Sequence, residues 1–407
     1  MSVNHSRRAF LAAGLAVAAT LSTAAPALAA PVPLTLPALT GQYQVGTTSL
    51  HLVDSGRADP WVPQQRRELM VTIDYPVRHT GSAPREPWLP PSLAAALDAE
   101  AASPDLLGLP PGSADWGSTL RQARTGVPAD PGLGKRPVVL FSHGFNGARE
   151  VDSVLVDDLA SRGYLVVSIS HTHEAAAVEF PGGRVEPAME AGITPEGRKK
   201  AIDARVADSR FVLDELTRLA RGTNPDAEHR PLPRGLGATL DLGRVGMFGH
   251  SYGGFTAGET MYHDRRIDAG INLDGTMRSD EPGEVAKHGL DRPFLLFGSE
   301  FDTGGFHDHA TDPSWQSFWA AQRGWKRDLS LRESRHLGFT DLQAVAPQVS
   351  ALVTPERLTA TIGTIDPRRS LLAQEDYVSA FFDLHLRGVD RHLFDGPSSC
   401  YPEVRVA

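Results

Sequence analysis

Three observations predict an α/β fold, with a mostly parallel central sheet and helices on both faces. Between residues 137 and 334 the sequence passes through short, near-continuously apolar runs, several of them closed by a polar residue. Helical stretches separate these runs, the alternation that a parallel sheet covered on both sides requires. The chain has 407 residues and is 41% hydrophobic, enough for one large core or for two modest domains.

The elements follow in chain order. Residues 31–46 are Pro-rich and read as an extended arm. "SLHLVD" (49–54) and "ELMVTIDYPV" (68–77) read as strands, because β-branched residues are bounded by turn formers. Residues 81–136 are dense in proline, with one short helical patch at 92–102, and are too long for a plain connection. They read as an insertion that serves as a lid or a surface element. "PVVLFSH" (137–143) and "YLVVSISH" (164–171) are strands around a helix at 151–163. A long helix spans 197–220, with Ile202, Val206, Leu213, Leu216 and Ala220 on one stripe. "RVGMFGH" (244–250), "AGINLD" (269–274), "PFLLFGSE" (293–300) and "RDLSLRES" (327–334) continue the strands. Helices are expected at about 252–262, 314–323 and 371–387.

The ends and the charge narrow the function classes. A net charge of −9 argues against nucleic acid as a partner, which needs a basic face. Cys400 is the single cysteine, so neither an internal disulfide nor a Cys-based metal cluster is expected. "SRRAFLAAGLAVAATLSTAAPALAA" has a charged start, an apolar middle and small residues at its close, the plan of an export signal. Adjacent Arg7 and Arg8 resemble the bacterial twin-arginine type. Cleavage after Ala29 leaves one domain, 30–407, and a secreted location.

Ligands of such sheets bind at the carboxyl ends of the strands, so the polar residues there are the candidates. Ser251 lies in "GHSYGG", between an apolar strand and a helix. A sharp strand-to-helix turn lifts the hydroxyl above the sheet and demands small residues at −2 and +2, here Gly249 and Gly253. The N–H of Tyr252 then opens a helix and faces an oxyanion; the N–H of Phe145, in "SHGFNG" after an earlier strand, is a second donor. A serine nucleophile needs a base, and His336 follows the strand at 327–334. His385 sits inside the last helix and reads as a packed or surface residue, while His307 and His309 form a His-x-His pair without further metal ligands. Two acids end strands: Asp274 and Asp302. Either carboxylate can orient the imidazole, and the residues alone leave both open.

At these motifs the chain resembles the α/β-hydrolase superfamily, and within it the platelet-activating-factor acetylhydrolase family and its secreted bacterial lipase and esterase relatives. The matching pieces are "VVLFSHGFNG", "DDLASRGYLVVSISH", "GMFGHSYGGFTA", "INLDGTM" and "HLGFTDL", within residues 68–342. By position the resemblance implies a nucleophile at Ser251, an acid at Asp274, a base at His336, and oxyanion amides at Phe145 and Tyr252. It implies hydrolysis of short-acyl or phospholipid-type carboxylic esters. No metal or organic cofactor is expected. The expected partner is a small-molecule or lipid ester, with transient contact to a lipid surface. Three alternatives stand beside this: a cutinase-like polyester hydrolase or triacylglycerol lipase using Asp302, whose "GSEFDT" resembles that acid loop; a non-catalytic binding protein; and a cofactor-free haloperoxidase or lyase.

Overall fold

Eleven strands of the computed structural model join in one sheet, and the model describes residues 30–189 and 194–407. The expected export segment, 1–29, lies outside the described residues. In chain order the strands are β1 (Gln44–Ala58), β2 (Arg66–Val77), β3 (Arg85–Pro87), β4 (Leu120–Thr125), β5 (Arg136–Ser142), β6 (Leu165–Ser170), β7 (Leu240–His250), β8 (Ala269–Leu273), β9 (Phe294–Gly298), β10 (Lys326–Leu331) and β11 (Val404–Val406). Their order across the sheet is β11-β10-β9-β8-β7-β5-β6-β2-β1-β4-β3. From β6 to β10 every pair is parallel. β2 and β11 turn antiparallel at the two flanks of that block.

The apolar runs explain this centre. Val138, Val139, Leu140, Phe248, Ile271, Leu295 and Leu296 are all fully buried, so both faces of these strands are covered. Helices α3 (Pro195–Ala220), α4 (Tyr252–His263) and α5 (Pro313–Ala321) share one apolar cluster with one face of the sheet. Helices α2 (Ser153–Ser161) and α7 (Pro367–Phe382) share another with the opposite face. α3 starts where the sequence dictates: the Thr194 side chain accepts from Gly197 N–H, Pro195 opens the helix and Glu196 complements its dipole.

Several boundaries differ from the sequence expectation. α7 begins at Pro367 rather than 371, because the Asp366 side chain caps Arg369 N–H; its last turn, Asp383–Arg387, widens to a π turn and stops at Gly388, with φ 68°. β10 ends at Leu331, where Ser334 Oγ–H bonds the Leu331 carbonyl and Glu333 turns to φ 58°. The arm at 31–46 already carries the first residues of β1. The short α6 (Pro355–Ile362) and the terminal β11 carried no expectation.

The insertion at 81–136 is built into the molecule. β3 and β4 extend the sheet beyond β1, and β5 starts at its last residue, Arg136. Between them α1 (Pro91–Ala101) buries Leu93, Leu97 and Ala101, and Trp88 and Trp116 join it in a third apolar cluster. That cluster includes Leu342, Val345, Val349 and Ile362, from the segment after His336. Trp88 Nε1–H also donates to Asp341 at 2.9 Å. The insertion therefore stands beside the carboxyl ends of β5 and β7. No helix among the described residues is long and apolar enough to cross a membrane.

Candidate active site

Ser251 sits at the tip of β7 with φ 55° and ψ −122°, a conformation that costs a non-glycine residue about 1–3 kcal/mol and needs support from its surroundings. The support is local: Ser251 N–H donates to the Leu273 carbonyl at 2.7 Å, and its own carbonyl accepts from Gly254 N–H at 2.9 Å. Neighbouring backbone fills the space around the turn. A Cβ on Gly249 would lie 2.3 Å from the Gly253 carbonyl carbon, and one on Gly253 would lie 1.8 Å from the Ser142 oxygen. Small residues at −2 and +2 are thus a steric requirement of this turn.

Two strand ends supply the partners. Asp274 follows β8 with φ 57° and is buried; His336 lies five residues past β10. His336 Nδ1 is 2.6 Å from Asp274 Oδ2, and its Nε2 is 3.0 Å from Ser251 Oγ. A carboxylate only accepts, so Nδ1–H donates to Asp274 and Nε2 is left to accept from Ser251 Oγ–H. Asp302, the other strand-end acid, does not join them. Its exposed carboxylate pairs with Arg335 instead.

Burial alone would raise the Asp274 pKa, but hydrogen bonds from His307 and His336 outweigh it and hold the carboxyl far below its usual range. Four donors converge on it: Ser299 N–H at 2.7 Å and His307 Nδ1–H at 2.8 Å on Oδ1, Ser299 Oγ–H at 2.9 Å and His336 Nδ1–H on Oδ2. His250, the residue before the serine, braces His336. Its Nε2–H donates to the His336 carbonyl at 3.0 Å, and the two ring centroids are 4.6 Å apart. Burial pulls the His250 pKa down to about 3, so its ring is neutral.

The loop after β5 carries Phe145. Among the described residues neither Phe145 N–H nor Tyr252 N–H donates to a protein acceptor. A buried pair clamps the loop between them. Arg205 of α3 donates to the carbonyls of His143 at 2.6 Å and Gly144 at 3.1 Å, while Glu174 accepts from Asn146 N–H at 3.2 Å and from Arg205 Nε at 2.9 Å. With its carbonyls turned to Arg205, the loop leaves the next amide free to face outward.

Two spaces meet at Ser251. An apolar cavity of about 240 Å³ is lined by Leu89, Leu93, Leu97, Phe145 and Leu342, four of its walls coming from the insertion and the segment after His336. A broader cleft of about 970 Å³ carries charged side chains, with Arg198, Arg278, Arg335, Asp280 and Asp302 along it.

Sequence reasoning missed Ser299, the Arg205–Glu174 clamp and the true place of His307. The His-x-His pair is divided: His307 faces Asp274, whereas His309 Nδ1 is 2.6 Å from Asp328 and its ring stacks on Trp319. His385 packs against Trp325 and Phe381, as a helix residue should. The one metal-ligand cluster among the described residues, Asp390, His392 and Asp395, is exposed in the C-terminal tail and lines neither space.

A sheet of this order, with a serine, a histidine and an acid at its carboxyl rim, defines an α/β hydrolase. Comparison with known proteins agrees and is more specific. The family model "Platelet-activating factor acetylhydrolase, isoform II" matches residues 29–395. A "Probable 1-alkyl-2-acetylglycerophosphocholine esterase" of Arthroderma benhamiae is 31% identical over 394 residues, covering 91% of this chain and 92% of that protein. The platelet-activating factor acetylhydrolase of Cavia porcellus is 26% identical, covering 75% and 69%. Among solved structures, a ferulic acid esterase from Streptomyces cinnamoneus aligns with a TM-score of 0.71 and 35% identity, over 92% of this chain and 99% of that one. The chain belongs to the platelet-activating-factor acetylhydrolase family, and it is an ester hydrolase.

Proposed function

We propose that this protein is an exported serine hydrolase that releases a small acyl group from esters with a polar leaving group. The observation that carries it is the Ser251–His336–Asp274 chain of hydrogen bonds, set where a small apolar cavity meets a wide cleft that carries charged side chains. Ser251 Oγ attacks the acyl carbon as His336 Nε2 takes its proton. Asp274 stabilises the imidazolium, and the N–H groups of Phe145 and Tyr252 receive the oxyanion. His336 then protonates the departing alcohol. Water, deprotonated by the same nitrogen, attacks the acyl-enzyme and releases the acid.

The cavity lies below the usual range for a whole drug-sized ligand, so it suits an acyl group alone. The cleft, with its arginines and carboxylates, suits a charged leaving group such as a glycerophospholipid headgroup. A hydroxycinnamoyl ester is the second reading, favoured by the leucine-lined cavity and by the name of the ferulic acid esterase neighbour. Export rests on the paired Arg7 and Arg8 and the small-residue site at 27–29.

The test is a panel: aryl esters from acetyl to dodecanoyl, a short-acyl phospholipid and methyl ferulate, for wild type and Ser251→Ala. Best turnover on acetyl to butyryl esters, abolished in the variant, is expected. A preference for dodecanoyl esters, or a Ser251→Ala protein with wild-type turnover, would overturn it.

A further inference from the structure

His307 occupies the loop between β9 and α5, and its ring is buried. Its Nδ1 lies 2.8 Å from Asp274 Oδ1, and its Nε2 lies 3.5 Å from Asp312 Oδ2. The ring stacks on Trp315, with centroids 4.1 Å apart and planes 22° apart, and Phe301 closes a further side at 5.9 Å. Trp315 is itself tied to the strand end that bears Asp274, because its Nε1–H donates to the Gly275 carbonyl at 2.6 Å. Asp312 is fixed as the cap of α5, accepting from Ser314 and Trp315 N–H. Nδ1 is thus hydrogen-bonded to one immobilised carboxylate, and Nε2 stands at ion-pair distance from a second without hydrogen-bonding it. A neutral imidazole has one N–H and would turn a lone pair toward one of them; only the doubly protonated ring presents a proton to both.

We propose that His307 is a positioning residue for ester hydrolysis: held as an imidazolium between Asp274 and Asp312, it fixes the acid's Oδ1 and, through its charge, offsets part of the Asp274 charge that His336 faces. This rests on the assignment of Ser251, His336 and Asp274 above. The two carboxylates outweigh burial and push the His307 pKa up to about 9, so the proton is retained across the neutral range. The cation has two separable effects. Its N–H, with Ser299 N–H, occupies Oδ1 and leaves Oδ2 aimed at His336. Its charge offsets part of that of Asp274, which weakens the field the carboxylate exerts on its neighbours. A neutral donor at position 307 keeps the first effect and removes the second.

The experiment is the pH profile of kcat/KM on 4-nitrophenyl acetate, for wild type and His307→Gln, from about pH 5 to about 10. The acid limb is expected to move upward by about half to one pH unit in the variant, with kcat on the plateau falling far less than in a Ser251→Ala control. A limb that stays in place overturns the proposal. A purely structural loss would lower the whole profile without displacing it. The wild-type protein gives an answer even if the variant fails to fold. Imidazole 15N NMR should show both His307 nitrogens protonated at neutral pH, with deprotonation near 9; a singly protonated ring at neutral pH would refute the inference. An unmoved limb together with an inactive Ser251→Ala sinks only the role of His307. An active Ser251→Ala sinks the catalytic assignment on which it stands.

Discussion

Replacing Asp274 by Asn tests the proposed assignment most sharply, because the surroundings dictate how the new amide must sit. Oδ1 accepts from Ser299 N–H at 2.7 Å and His307 Nδ1–H at 2.8 Å. Ser299 N–H is backbone and cannot reverse its role, so the Asn oxygen is forced to the Oδ1 side. The NH2 group then occupies the Oδ2 side, 2.6 Å from His336 Nδ1. As a donor it makes Nδ1 the acceptor and moves the ring proton to Nε2. That nitrogen, 3.0 Å from Ser251 Oγ, can no longer take the serine proton. In serine hydrolases a reversed tautomer costs about 10⁴-fold in kcat. Four decades at about 1.36 kcal/mol each make about 5.4 kcal/mol of lost transition-state stabilisation. The expected result with 4-nitrophenyl acetate is kcat down by about 10⁴ with KM changed little. Asp302→Asn, which alters the exposed pair with Arg335 and one carboxylate of the cleft, should stay within a few-fold of wild type on this substrate, whose leaving group is not the charged headgroup proposed for the cleft. Retention of a tenth or more of wild-type kcat by Asp274→Asn, or a collapse in Asp302→Asn, would refute the reasoning.

Three more outcomes follow from other parts of the molecule. Ala96 of α1 lines the apolar cavity, so Ala96→Trp should fill it. Hydrolysis of octanoyl esters should drop more than about tenfold relative to acetyl esters, and an unchanged ratio of the two kcat/KM values would show that the acyl group lies elsewhere. Arg205→Met leaves the buried Glu174 carboxylate without its partner and frees the loop that carries Phe145; an equilibrium urea curve should show a loss of about 3–5 kcal/mol, and an unmoved midpoint would contradict it. Glu375 in α7 is buried, and desolvation, with Asp158 nearby, pushes its pKa up to about 8. Its folded pKa exceeds its unfolded value of about 4.3, so the folded state binds the extra proton. The resulting stability is full below about pH 4 and drains away as pH rises through about 8. Glu375→Gln should therefore gain on wild type by a few kcal/mol between pH 5 and pH 9 in urea denaturation, and parallel curves for the two proteins would count against a buried protonated carboxyl.

The sequence by itself determined the scaffold and the setting of Ser251. Continuous apolar runs leave no polar face to offer water, so strands 137–143, 164–171, 244–250, 269–274 and 293–300 had to lie inside a parallel, double-covered sheet. Gly249 and Gly253 declared the sharp turn at Ser251, because backbone packs where their side chains would be. These are local consequences of covalent geometry and burial, and local signals survive in one dimension.

What the tertiary structure decided is which of two strand-end acids faces His336, and what surrounds that acid. Asp274 and Asp302 look alike in the sequence. They differ because the first is walled in by Ser299, His307 and Trp315 at the sheet's rim, while the second points to solvent beside Arg335. His307 gave no signal, since its meaning depends on a loop folding back 33 residues along the chain to reach Asp274. The role of the insertion was equally hidden. Its proline content shows that it is irregular, but only its packing on residues after His336 makes it a wall of the apolar cavity. Such contacts join groups distant in sequence by side-chain packing, which carries no periodicity for a sequence to display.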